Sequence, residues 1–264
     1  MREPRNRGKH GLQLRESLSF RGKERGERGG ESRAVSRDRE RGGNLRRGLP
    51  CRVEGEVWLC GGYYEVSGIK IGWVSVNALS SASQVEKYVT DGINKLKEDN
   101  VDLILACCHW GIERDHYPTG YQKELGKKCI DLGADLVIGH HPHVLQGIDQ
   151  YKGKLIIYSL GNFSFGANKN PSDKDTMIFQ QTFNFAKITT GDGEVTITKL
   201  DDTDAKIIPC SISSVSSRND YCPTPQTGDK GQRIINRVNT YSENFGVSAN
   251  ENGELQWTKE NVSE

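Results

Sequence analysis

Apolar positions along this chain fall into short runs separated by polar stretches of helical period. Val57 to Cys60 and Tyr63 to Val66 read as strands around a Gly61-Gly62 turn, and Ile69 to Val76 is strongly β-prone. Ser83 suits a helix N-cap, after which Val85, Tyr88, Val89, Ile93 and Leu96 recur on one face. Asp102 to Cys108 is a buried strand, so residues 69–108 form a β-α-β unit with its strands parallel in one sheet. The alternation then repeats. Tyr121 to Leu132 is a helix with Leu125, Cys129 and Leu132 on one face and Gly133 as its stop. Asp135 to Ile138 is the next parallel strand, and Leu155 to Leu160 another. Met177 to Ile188 and Glu194 to Leu200 alternate around Gly191-Asp192-Gly193, an antiparallel hairpin. Ala205 to Cys210 is a candidate for one more strand. A Ser/Pro/Asp-rich loop over 211–229 and a short amphipathic helix from Gly231 to Ser242 follow. The pattern is an α/β fold with parallel β-α-β units followed by an antiparallel hairpin.

Charge changes the picture at the N-terminus. Residues 1–50 hold 15 Lys+Arg against 7 Asp+Glu, a net of +8, while the remainder carries −7. The overall +1 therefore hides a basic arm on an acidic body. The arm is rich in Arg, Gly and Glu and poor in aliphatic residues. It lacks the apolar surface to offset its ordering entropy, and a disordered leader over 1–52 is predicted. Its acidic residues and lack of aromatic interleaving argue against specific nucleic-acid binding, which ranks last among the functions considered. No stretch approaches the roughly 20 apolar residues of a membrane span, and no apolar core of a signal peptide is present. As written the chain reads as soluble or cytoplasmic. The seven cysteines include no C-x-x-C pair and read as free thiols, with Cys210 and Cys222 the one pair placed for a bridge.

Candidate chemistry concentrates between Val101 and Gly166, where five of the six histidines lie. Each buried strand there ends in polar residues, the edge at which open α/β sheets build sites. His141-Pro142-His143 places two imidazoles on a stiffened turn, and His109 ends a neighbouring strand. Three histidines at one sheet edge suit Zn, Mn or Fe. His140 reads as a residue behind these ligands. His116 reads as a loop histidine, with a substrate or acid–base role as the alternative. Glu113 either orients His109 or a cation, or is a solvated carboxylate. Gly161 and Asn162 end a strand and shape the site, with direct substrate contact as the second reading. Gln122, early in its helix, is a candidate for the pocket wall. A bridging carboxylate of the kind a dinuclear hydrolytic site needs has no obvious source before residue 100.

The motifs His109-Trp110-Gly111, Gln122, GADLVIGHHPHVLQ at 133–146 and YSLGNFSFG at 158–166 resemble those of the capsule synthesis protein CapA family. These are the bacterial poly-γ-glutamate synthesis proteins, themselves similar to calcineurin-like metallophosphoesterases. The resemblance runs from about Gly68 to Phe165 and fades towards residue 209. It implies a four-layer α/β/β/α sandwich with divalent metals, one or two, at the strand ends. It further implies that His109 and His141 ligate one ion and His143 the other. The family's first half normally supplies a Gly-Asp strand end, an Asn-x-Glu segment and an Asn-Asn-His turn, and these are absent. The expectation is a C-terminal half, 53–209, with a loop-and-helix tail over 210–264. The leader before it is either a solvated native tail or not native coding sequence. A truncated or mis-started gene would account for the missing half, with activity reduced or lost. The implied role is a metal-dependent hydrolase working with capsule-polymer machinery at the cell envelope. A non-catalytic scaffold in a surface-polymer assembly is the alternative.

Overall fold

The structure, a computed structural model, describes residues 9–15, 45–54, 57–79, 81–166, 168–189, 195–201 and 203–258. A seven-stranded sheet carries the β-α-β units. Its strands are β2 (Leu45–Glu54), β3 (Val57–Val66), β4 (Ile69–Asn77), β5 (Leu103–His109), β6 (Leu136–His140), β7 (Ile148–Tyr151) and β8 (Lys154–Ile157), in the order β2-β3-β4-β5-β6-β8-β7. β4, β5, β6 and β8 are parallel, and β2, β3 and β7 run antiparallel to their neighbours. Helices α1 (Ala82–Glu98) and α2 (Gly120–Leu132) make the crossovers. A second sheet is built on β9 (Asp175–Thr189), flanked by β1 (Lys9–Arg15), β10 (Val195–Lys199) and β11 (Asp204–Ser211), with β12 (Thr224–Pro225) beyond β11. Helix α3 (Gly228–Ser242) and a small pair, β13 (Ser248–Ala249) with β14 (Leu255–Gln256), complete the described chain.

Alternation along the parallel strands decides the layers. One set of side chains, including Val74, Ile104, Ala106, Cys108, Val137 and Ile156, is buried against Val85, Val89, Ile93, Leu125 and Cys129 of α1 and α2. The other set, including Ile71, Leu103, Leu105, Leu136, Ile138 and Ile157, meets Met177, Phe179, Phe183, Phe185 and Ile207 of the second sheet. A strand buried on both faces reads as a continuous apolar run, as Leu103–Cys108 does. Ile234, Ile235 and Val238 of α3 enter the inter-sheet cluster, so this amphipathic helix is part of the core. No helix among the described residues is long and apolar enough to cross a membrane.

Several details differ from the pattern-based reading. Gly61 and Gly62 are not a turn. They lie inside β3, opposite Val74 and Trp73, and the chain reverses at Ser67 and Gly68 instead. Both have positive φ, 56° and 85°, as a tight hairpin turn of the I′ type requires. Ser81, not Ser83, stands at the N-cap of α1 and makes no side-chain cap bond. β7 was not predicted, because Ile148–Tyr151 is too short for a periodic signal. Lys9–Arg15 and Leu45–Glu54 are strands where composition predicts none. A sheet edge recruits partners through backbone groups that every non-proline residue carries. The rest of the leader, and the Gly191–Gly193 turn, lie outside the described residues. Cys210 and Cys222 are free thiols.

One close approach sets the geometry beneath the site. Trp110 is fully buried, and its indole N–H donates to the Tyr158 carbonyl at 2.9 Å. The ring passes over Gly139, where an added Cβ would lie 2.4 Å from the indole nitrogen and 2.1 Å from the Tyr158 oxygen. Gly139→Ala is therefore expected to cost at least the upper end of the about 1–3 kcal/mol typical of overpacking. Gly120→Ala, with nothing within 4 Å of the new methyl, should be near neutral. Denaturant midpoints of the two variants check the contrast.

Candidate metal centre at the strand ends

The parallel register aligns three strand ends: Asn77 pairs with His109, and His109 with His140. Backbone bonds carry the alignment one residue further, Ala78 N–H to His109 O at 2.8 Å and Trp110 N–H to His140 O at 3.0 Å. The loops that follow β5 and β6 are then tied together by Arg114 N–H to Pro142 O at 2.7 Å. His141 and His143 both take positive φ, 98° and 60°, on either side of Pro142. Non-glycine residues in that region cost on the order of 1–3 kcal/mol each and persist only where the surroundings impose them.

This turn sets the two rings 5.9 Å apart between centroids. His141 Nδ1 lies 3.1 Å from His109 Nε2, with the rings edge to face at 4.7 Å. At this distance one ring nitrogen donates a hydrogen bond to the other, and a shared cation would have to take that proton's place, since two ligand nitrogens on a tetrahedral Zn lie about 3.3 Å apart. The donor atoms of Glu113, His141 and His143 all lie within 4.8 Å of one another. Of the three histidines predicted to converge, His141 and His143 join Glu113 in that compact set. His109 stands on its far side, in contact with His141.

Asn162 fixes the orientation of His143. Its Nδ2 donates to the His143 carbonyl at 3.0 Å, so its Oδ1 accepts from His143 Nδ1 at 2.7 Å. That leaves Nε2 directed away from Asn162. Gly161, with φ 77°, passes close to the Asp175 carbonyl, where a Cβ would sit at 3.0 Å. Phe165 packs its ring 4.9 Å from that of His143, a neighbour no spacing in the sequence announced.

Burial, and then the neighbouring His141, His140 and His143, push His109 down to about 4. Burial alone brings His140 to about 4. His141 is lowered too, by burial and by His143, with Glu113 opposing. These imidazoles are neutral at pH 7, the form in which a ring nitrogen binds a metal.

Gln122, a candidate for the pocket wall, and His116, read as a loop histidine, both make structural contacts. Gln122 is fully buried and forms a capping box with Thr119, at 2.9 and 3.2 Å. Its Nε2 donates to Gln146 Oε1 at 2.9 Å, and Gln146 Nε2 donates to the Asp115 carbonyl at 2.9 Å. Gln122 thus holds the Glu113 loop from below and is no pocket wall. The signal for this was the spacing Thr-x-x-Gln. His116 places Nδ1 3.1 Å from the Leu145 carbonyl and stacks on Tyr241 at 5.0 Å, which joins the same loop to α3.

A family model described as bacterial capsule synthesis protein PGA_cap matches residues 60–167. Over 69 residues the chain is 52% identical to the capsule biosynthesis protein CapA of Bacillus anthracis, covering 26% of this chain and 17% of that one. It is 30% identical over 168 residues to the PGA biosynthesis protein CapA of Bacillus subtilis (strain 168), covering 59% and 43%. Residues 60–167 are thus similar to the CapA capsule-synthesis proteins. The matched stretches span less than half the length of either CapA relative. A solved structure of a hypothetical protein from Thermus thermophilus overlaps at TM-score 0.33 and 17% identity, over 53% of this chain and 60% of that one. So loose an overlap carries no argument. The CapA segment contains every histidine of the candidate centre, Glu113 and Asn162. The Tyr241 that braces its loop lies outside it.

The lowered histidine pKa values predict an acid limb of stability. His140 titrates near 6.5 when unfolded but near 4 when folded, so between these values the unfolded chain binds more protons. Stability is complete above pH 6.5 and declines as pH falls to about 4, by at most about 3 kcal/mol from this residue. Denaturant titrations at stepped pH, with chelator present, should show the limb, and His140→Gln should flatten it.

Proposed function

We propose that the CapA segment binds one or two divalent cations at Glu113, His141 and His143 with His109, and serves metal-dependent hydrolysis in capsule or poly-γ-glutamate production. The observation that supports this is the meeting of Glu113, His141 and His143 donor atoms within 4.8 Å, with His109 against His141. Two imidazoles, a carboxylate and an adjoining third imidazole fit Zn, Mn or Fe. His109 with His141, and His143 with Glu113, would form the two halves of a dinuclear arrangement. A bound divalent ion supplies an activated water and polarises a phosphoryl or acyl oxygen.

The chain's own part is positional. Asn162 holds the His143 ring, burial keeps His109 and His141 unprotonated, and the fully buried Trp110 fixes the strand ends beneath them. Capsule-polymer machinery at the cell envelope is the partner and place this reading implies. A second reading, a non-catalytic scaffold, is favoured by one observation: the compact donor group holds a single carboxylate, Glu113. A dinuclear hydrolytic site ordinarily bridges its ions with a further one.

Purified chain loaded with Mn²⁺ or Zn²⁺ is expected to retain metal after desalting. His141→Ala and His143→Ala should each lose more than the about 10–100-fold in affinity typical of removing a ligand's outer partner. Metal content unchanged in both variants would sink the metal assignment. Phosphodiester hydrolysis that disappears with chelator selects the enzyme over the scaffold, and metal binding without turnover selects the scaffold.

A further inference from the structure

Beyond the matched segment, one buried polar side chain reaches back to the candidate centre. Asn219 is 4% exposed, and all its hydrogen-bonding side-chain groups are occupied. Its Nδ2 donates to the Phe165 carbonyl at 3.0 Å and to the Asn168 carbonyl at 3.1 Å. Its backbone N–H donates to the Lys169 carbonyl at 2.8 Å, and its Oδ1 accepts from Tyr221 N–H at 2.9 Å. A planar amide supplies two N–H groups for two carbonyls; aspartate, serine or alanine does not. The loop around Asn219 is itself braced. The Asp220 carboxylate accepts from Ser214 N–H at 3.0 Å and Cys222 N–H at 3.1 Å, and Ser213 Oγ lies 2.8 Å from it. Lys174 Nζ donates to the Ser216 carbonyl at 2.5 Å.

What Asn219 fastens is the backbone that carries Phe165, whose half-buried ring sits 4.9 Å from the His143 ring. Asn162 holds His143 through Nδ1, and the Phe165 ring packs beside the same imidazole. We propose that Asn219 is a positioning residue of the candidate centre, acting through Phe165, which shields one side of the His143 imidazole from water. Asn219 touches neither a ligating atom nor a reacting one. It limits the ways His143 can turn and the solvent that reaches its Nε2. Its effect on cation affinity rests on the metal reading above; its effect on the exposure of His143 does not.

The experiment separates the two. The full chain, stripped of metal by chelator, is treated with diethyl pyrocarbonate, and modification of each histidine is followed by peptide mass mapping. Asn219→Ala, Asn219→Asp and Phe165→Ala should each speed modification of His143 severalfold. His116, held against the Leu145 carbonyl and the Tyr241 ring, should be unchanged and serves as the internal reference. In parallel, titration with Co²⁺ followed by visible absorption should show about tenfold weaker binding in the three variants, with unchanged stoichiometry. If His143 reacts at the wild-type rate in folded variants, the proposal is overturned. Should the Asn219 variants fail to fold, Phe165→Ala decides it alone. A wild-type chain that takes up no Co²⁺ overturns the metal reading, while the His143 reactivity still decides the role of Asn219.

Discussion

The candidate centre stands on the Trp110 indole. A fully buried side chain of that size at the end of β5 must find both an apolar bed and an acceptor for its N–H. It finds the first over Gly139 of β6 and the second in the Tyr158 carbonyl just beyond β8. One ring thereby ties the C-terminal ends of three parallel strands to each other. Gly126 on α2 allows the same closeness from above: an added Cβ there would lie 3.0 Å from Ile156 and 3.5 Å from Trp110. Helix, indole and sheet are therefore in direct contact. The histidines that follow have a rigid floor, and the short distances between them derive from it.

Rings this close are tolerated because they are uncharged. Were His109, His140 and His141 protonated together, their mutual repulsion and loss of hydration would oppose the fold. Partial desolvation lowers the pKa of each of the three and so favours the uncharged rings. The backbone carries a separate strain at His141 and His143, both at positive φ. The turn is restrained by the Arg114–Pro142 bond and by Asn162, which grips His143 at both ring and carbonyl. Strain held in place at a cluster of donors is the usual mark of a functional turn.

Much of this was legible in the chain, for identifiable reasons. Buried faces of α1 and the runs of β4, β5 and β6 follow from period alone, because burial on one or both faces leaves no other choice of residues. The strand-end histidines were legible for the same reason, since parallel register puts strand ends side by side. Long-range polar partners were not. Gln122 looked like a pocket residue because helix position says nothing of Gln146, and Asn162 gave no hint of which ring it would hold. The sequence leaves Glu113 open between orienting a ligand and a solvated carboxylate, since only the joining of two loops brings it near His141 and His143. Phe165 and Asn219 are separated by too many residues for any local pattern to relate them.

The inter-sheet core has a bearing on where the unit of folding ends. The family match stops at residue 167, yet the inner face of the seven-stranded sheet is covered by β9, β11 and α3, all of which come later. Asp175 at the start of β9 receives Arg233 through paired bonds of 2.6 Å, and Arg237 grips Asp173 at 2.7 Å, so α3 is clamped to the second sheet as well as packed on it. Cut at the limit of sequence similarity, the first sheet would present Leu103, Leu105, Ile138 and Ile157 to water as one contiguous oily surface. Sequence kinship and autonomous folding thus have different boundaries in this chain, and an isolated 60–167 peptide would be an aggregating half rather than a domain.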